Sequence, residues 1–171
     1  MQGRFSAIFY LTLSHLGTRL PLSAPAEFIQ SGFEVGCHAW NHRYLTGLNV
    51  SEQIRETLDA KQCLEDLCGS PVDHFSYPGG RWNSNSEKAI QNAGFLSAAN
   101  TWPAPNQMPG QPFRISRISI RNSFDSHTFQ KIIQGEADVL KKLQGRARRM
   151  AMLRKITGDS LLDKIRKHLY H

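Results

Sequence analysis

Gly32-Phe33-Glu34-Val35-Gly36-Cys37-His38-Ala39-Trp40-Asn41-His42 is the stretch whose reading decides the fold. Phe33 to Cys37 is a short, largely apolar run behind a glycine, the pattern of a buried strand. It empties into two histidines four residues apart, a spacing that puts both on one face of a helical turn. Two imidazoles converging at the C-terminal end of a strand are good ligands for Zn or a similar divalent ion. The spacing alone also arises by chance, with the rings merely solvated or packed. Cys37 adjoins His38, but neighbours on a strand point to opposite faces, which sends Cys37 to the core rather than to a shared ion.

Outward from this stretch, strands and helices alternate. On the N-terminal side, Ala7 to Leu11 reads as a buried strand and Pro25 to Ser31 as a short helix with Gly32 past its end. Met1 to Ala26 also has the outline of a secretion signal: a basic start, an apolar stretch and small residues. His15, Thr18 and Arg19 interrupt that outline, so the strand reading is preferred and the signal stays open.

On the C-terminal side, Asn49 is the N-cap of a helix reaching about Cys68, with Glu52 as its capping-box partner and Gly69 as its stop. Ile54, Leu58, Leu64 and Leu67 form its expected apolar side. Asn49-Val50-Ser51 matches a glycosylation acceptor, but the helix start accounts for the same residues. Pro71 to Tyr77 is an expected strand that ends in the turn Pro78-Gly79-Gly80. Ser84 to Ala93 is an expected helix, Phe95 to Ala99 a strand, Trp102 to Pro112 a loop and Arg114 to Ile120 a strand. Asp125 or Ser126 caps a helix carrying Phe129, Ile132, Ile133, Ala137 and Leu140. The alternation predicts an α/β fold built on a parallel sheet or barrel of βα units. In such folds chemistry gathers at the C-terminal ends of the strands, where the histidines and Pro78-Gly79-Gly80 both fall.

The chain has 171 residues, enough for one domain with an ordinary core, and no apolar run is as long as a membrane span. Three cysteines, two of them in an expected helix, argue against a disulfide framework. The net charge of +7 is uneven: residues 1–140 carry 11 Lys+Arg and 12 Asp+Glu, residues 141–171 carry 10 and 2. Basicity therefore belongs to the tail and says nothing about the body. The expected organisation is a body over 1–140 and a basic amphipathic helical tail over 141–171. Within 145–171 apolar and basic residues interleave as a helix pair broken near Gly158. Such a tail can dock on the body or lie on an anionic membrane surface. No base-reading motif supports nucleic acid.

Taken together, Gly32 to His42, then Phe75-Ser76-Tyr77-Pro78-Gly79-Gly80, then Asn92-Ala93-Gly94-Phe95 resemble the polysaccharide deacetylase family, carbohydrate esterases of the chitooligosaccharide-deacetylase type, over roughly residues 5–120. The resemblance implies a distorted (β/α) barrel and metal-dependent hydrolysis of acetyl groups from the N-acetylated sugars of a polysaccharide. It implies a divalent metal, usually Zn, held by one aspartate and two histidines, with a second aspartate as general base. Carried over by motif, the histidine ligands are His38 and His42. Tyr77, Pro78, Gly79 and Gly80 form a turn walling the groove, and the Gly79 N–H takes the oxyanion position.

The departures from the family pattern are specific. Its first motif, a strand ending in paired aspartates, is not found, and no Asp-Asp pair occurs in the chain. One metal ligand, the general base and the barrel's first strand are thus expected to be lacking. His15 and Glu34 are weak substitutes for the third ligand. Ala39 stands where the family usually has Ser or Thr, and Ser76 where it has the arginine of the turn motif. The family's leucine-x-histidine motif has no convincing match, and His127 reads as a helix-start residue. The expected function is glycan deacetylation. The alternative is a degenerate, non-catalytic domain that binds glycan or associates with an anionic membrane through its tail. A cytoplasmic or membrane-peripheral location is favoured.

Overall fold

The computed structural model describes residues 6–106 and 110–157. They fall into two compact units, Met1–Thr101 with Asn106–Ser116, and Trp102–Pro105 with Arg117–His171. The first unit carries the sheet. Its four strands are β1 (Ile8–Leu11), β2 (Glu34–Cys37), β3 (His74–Ser76) and β4 (Ser97–Ala99). All pair in parallel, in the order β1-β2-β3-β4. Each strand lies beside its successor, which is the order of a βα barrel and not of a doubly wound sheet.

The crossovers are helical, as parallel pairing demands. Helix α1 (Ala24–Gln30) joins β1 to β2. The second crossover is α2 (Val50–Ile54), a π-helical turn (Arg55–Asp59) and α3 (Ala60–Cys68) in one run. The expected capping box is present: the Glu52 N–H donates to the Asn49 side chain, and the Glu52 carboxylate accepts the Asn49 N–H. Gly69 ends the run at φ 64°, a left-handed conformation that glycine enters without a Cβ penalty. Helix α4 (Ser84–Asn92) joins β3 to β4, with its own capping box between Asn83 and Ser86.

The core lies between the sheet and these helices. Val35, Cys37, Phe75, Tyr77 and Ala98 from the strands and their ends meet Ala60, Leu64 and Ile90 from α3 and α4. Of the expected apolar side of the second crossover, Leu64 is buried and Leu58 and Leu67 pack against the core, but Ile54 does not. Gln53, Glu56, Thr57, Ala60, Leu64 and Cys68 are buried, whereas Ile54 is 46% exposed.

Two other expectations are corrected. Arg114 to Ile120 is not a strand: Pro112–Arg114 is a 3-10 turn, and Ile115 makes a single bridge to Ala99. Side chains take over where a ladder would continue, since Asn106 Oδ1 accepts the Ser116 N–H at 2.8 Å and Asn100 Nδ2 donates to the Arg114 carbonyl at 3.0 Å. In the second unit, Asp125 does cap a helix, α5 (Ser126–Ile133), by accepting the Thr128 N–H at 2.7 Å. That helix stops at Gly135 (φ 70°), and Ala137 and Leu140 belong to α6 (Ala137–Thr157). Helix α6 runs straight through Gly145, and the break expected near Gly158 lies outside the described residues. Among the described residues, no helix is long and apolar enough to cross a membrane.

Candidate active site

The C-terminal ends of β1, β2 and β3 meet around His38. Its N–H donates to the Leu11 carbonyl at 2.8 Å and extends the β1–β2 pairing by one residue. Leu13 and Ser14 then donate to the carbonyls of Ala39 and Trp40, and Thr12 Oγ1 donates to the His38 carbonyl at 3.3 Å. The segment after β2 is therefore clamped along β1 and does not wind into a helix.

This corrects the expected route to convergence. Ala39 (φ 69°) and His42 (φ 60°) are the two non-glycine residues in left-handed conformations among those described. Such residues cost on the order of 1–3 kcal/mol each and persist where the surroundings over-determine them. The double reversal, not a helical turn, brings the rings together: the imidazole centroids of His38 and His42 lie 4.8 Å apart, at an interplanar angle of 73°.

The ring of His38 is oriented from β3. Its Nδ1 lies 2.6 Å from the Ser76 carbonyl oxygen. A carbonyl can only accept, so Nδ1 carries the proton and Nε2 carries the ring's lone pair. A ligand histidine whose other nitrogen is held by a backbone carbonyl is the usual arrangement at a metal centre.

The turn after β3 is built on Pro78 and two glycines. The N–H groups of Gly80 and Arg81 donate to the carbonyls of Tyr77 and Pro78. The Gly79 N–H has no acceptor among the described residues, as expected for the first turn of a helix. Both glycines have positive φ, 61° and 69°. A Cβ on Gly79 would sit 2.7 Å from the Tyr44 ring, and one on Gly80 would strike Thr101. Tyr77 is fully buried, its hydroxyl donates to the Phe113 carbonyl at 3.1 Å, and burial pushes its pKa up. Tyr77 is therefore a core residue beneath the turn. Tyr44 lies against Gly79 from above, with the Arg81 guanidinium stacked 3.7 Å from its ring centre.

Cys37 is fully buried, and burial drives its thiol up to about 12, against any role as a thiolate ligand. Glu34 opens β2 at the other end of the strand and reaches His74 Nε2 at 3.4 Å. His15 ends a 3-10 turn at Leu13–His15. Among the described residues no three His, Cys, Asp or Glu side chains form a group that could hold a metal ion. The described residues offer two histidines for a zinc-type centre, His38 with its tautomer set, and no third ligand.

One site residue was missed by the sequence reading. Glu56, on the π turn, is 1% exposed, and its two carboxylate oxygens accept the backbone and side-chain N–H groups of Asn41 at 2.9 and 3.3 Å. The available signal was its place in the series Gln53, Glu56, Ala60, Leu64, where a lone acid falls on the buried spacing.

The family model for polysaccharide deacetylase matches residues 3–98. The chain belongs to that family. It is 24% identical over 108 residues to YxkH of Bacillus subtilis (strain 168), described as a polysaccharide deacetylase, a match that covers 63% of this chain and 39% of the relative. Among solved structures, BC0361, a polysaccharide deacetylase from Bacillus cereus, superposes with a TM-score of 0.69 at 21% identity, over 77% of this chain and 42% of that one. The Streptococcus pyogenes deacetylase PplD, solved in complex with acetate, gives 0.68 at 18% identity, over 74% of this chain and 58% of that one. At these identities the structures establish the fold. The chain spans about two fifths of the length of the curated relative.

Proposed function

We propose that this domain takes part in removing acetyl groups from N-acetylated sugars of a glycan, with His38 and His42 holding a divalent metal, Zn in the first instance. The observation that carries the reading is the pair itself. Two imidazoles 4.8 Å apart stand at the C-terminal edge of a parallel sheet, one with its tautomer set by the Ser76 carbonyl. A bound metal of this kind supplies Lewis-acid polarisation of the acetamide carbonyl and a water of lowered pKa.

The chain's own residues contribute in three ways. His38 and His42 offer nitrogen lone pairs. The Gly79 N–H, with no acceptor among the described residues, is a donor for the oxyanion that forms when the acetamide carbonyl is attacked. The turn at Pro78, Gly79 and Gly80, backed by Tyr77 and faced by Tyr44, is a wall against which a sugar can lie. The third protein ligand and the general base are not among the described residues, so the binding expected of this chain alone is weak.

The test has two arms. Zn2+ and Co2+ are titrated into the purified chain and into the variant H38A/H42A, and acetate release from N-acetylglucosamine oligomers is followed with each metal. Metal binding that disappears in the variant, with acetate released by the wild type, supports the reading. A wild type that binds glycan but neither metal nor releases acetate overturns it in favour of a non-catalytic domain.

A further inference from the structure

We infer that Glu56 is the positioning residue of the histidine pair, fixing the Ala39–His42 reversal by gripping Asn41 with both carboxylate oxygens. The inference rests on the reading of His38 and His42 as a ligand pair. The grip uses both oxygens of a buried carboxylate on a residue at the surface: Oε2 accepts the Asn41 backbone N–H at 2.9 Å, and Oε1 accepts Asn41 Nδ2 at 3.3 Å. Asn41 directly precedes His42. A carboxylate that takes the main-chain N–H at that point determines the direction in which the chain enters the left-handed His42.

Three further observations converge on this role. First, the loop cannot hold itself: Ala39 and His42 are both at positive φ without being glycine, so an outside anchor is required. Its first half is anchored on the 3-10 turn after β1 through the Leu13 and Ser14 amides, and Asn41 is where its second half is held. Second, Glu56 sits on the π-helical turn Arg55–Asp59. Such a turn changes which residues face inward, and π turns recur at functional sites. Third, the same helical stretch pins the next loop. Gln53 Nε2 donates to the carbonyls of Leu45 at 3.0 Å and Leu48 at 3.3 Å, and Thr57 Oγ1 donates back to Gln53 at 2.7 Å. Buried Gln53 and Glu56 thus hold the segments on either side of His42, with Thr57 bonded back to Gln53 within their own helix.

The test compares wild type, E56A, E56Q and E56D in the full chain. Co2+ affinity is measured by chelator competition at a temperature where each variant is folded, alongside urea unfolding. Loss of an outer partner of a ligand typically lowers metal affinity about 10–100-fold. We expect E56A and E56D to fall at the upper end. E56Q, which keeps one acceptor for the Asn41 backbone N–H, should recover about tenfold of that loss. A merely structural role predicts lower unfolding midpoints with unchanged Co2+ affinity in the folded variants, and that result would overturn the inference. If E56A does not fold, E56Q against wild type decides, because its shape is unchanged. If the wild type binds no Co2+, the proposed metal site fails first. The inference is then judged on metal-free protein, by the nuclear Overhauser contact between the His38 and His42 rings. Its loss in E56Q or E56D with core signals retained supports the positioning role; its persistence in all variants refutes it.

Discussion

The Nδ1 of His38 lies 2.6 Å from the main-chain carbonyl of Ser76, one strand away. The end of β3 therefore sets the tautomer of a side chain that β2 delivers, and it does so through backbone alone. Replacing the Ser76 side chain should leave the arrangement intact. We expect S76A to change Co2+ affinity by no more than about threefold, while H38A lowers it by about 100-fold or more, in line with the loss of a ligand together with its support. H38A should also cost about 1 kcal/mol more in urea unfolding than H42A, because it alone strips the Ser76 carbonyl of this donor. Equal losses of stability in the two variants would mean that the carbonyl contact carries no weight.

His42 is held at φ 60° in an exposed stretch of the loop. The imidazole is wanted there and the backbone conformation is not. H42A and H42G both remove the ring, so their difference isolates the conformation. H42G should be more stable than H42A by about 1 kcal/mol, read from urea midpoints, although both lose metal binding. An H42A variant as stable as H42G would show that the loop relaxes out of the left-handed region once the ring is gone.

Gly79 and Gly80 make a graded pair. A methyl group on Gly80 would run into the Thr101 side chain and stand 2.6 Å from its backbone N, at φ 69°. Backbone cannot step aside, so G80A should destabilise by about 3 kcal/mol, combining overpacking with left-handed strain. At Gly79 the obstacle is the edge of the Tyr44 ring at 2.7 Å. That ring can swing, giving up its stack with Arg81, so G79A should cost about 1–2 kcal/mol, most of it backbone conformation. Thermal or urea unfolding ranks the two, and a reversed order would contradict the packing described for this turn.

What was legible in the sequence was local. The Asn49–Glu52 box, the Gly69 stop and the Asp125 cap each depend on residues within one helical turn, and each is where the pattern put it. The histidine pair was legible as a pair, yet the mechanism of its convergence was not. Clamping by Leu13 and Ser14, from the turn after β1 and far upstream in the chain, leaves no trace in the spacing of His38 and His42. Glu56 escaped for a related reason. Its partner is fifteen residues away, and although it falls on the buried spacing of its helix, nothing within one turn names the loop it holds. The segment from Arg114 looked like a strand because its isoleucines recur, but pairing needs a partner edge. Asn106 had already taken the Ser116 amide, and Gly135 likewise cut a helix that the apolar spacing had carried through to Leu140.

The buried Cys37 gives the fold an alkaline weakness. Burial raises its thiol from an ordinary 9.0 to about 12 against a backbone hydrogen bond from Ala39, with the nearby Glu56 adding to the rise and Lys61 opposing it. Above pH 9.0 the unfolded chain releases this proton and the folded chain keeps it. The folded state then binds more protons, so stability falls as pH rises between the two values. At pH 10 the loss from this one group is about 1.4 kcal/mol. Tyr77, raised from 10.0 by burial, acts in the same direction at higher pH and is present in every variant. C37A removes the thiol and leaves a small cavity, with a cost of about 1 kcal/mol that does not depend on pH. Urea unfolding at pH 8 and pH 10 should therefore show wild type losing about 1.4 kcal/mol more than C37A over that interval. If the two proteins lose the same amount, the Cys37 thiol ionises in the folded state near its ordinary value, and the tight packing of β2 against α3 is not what holds it neutral.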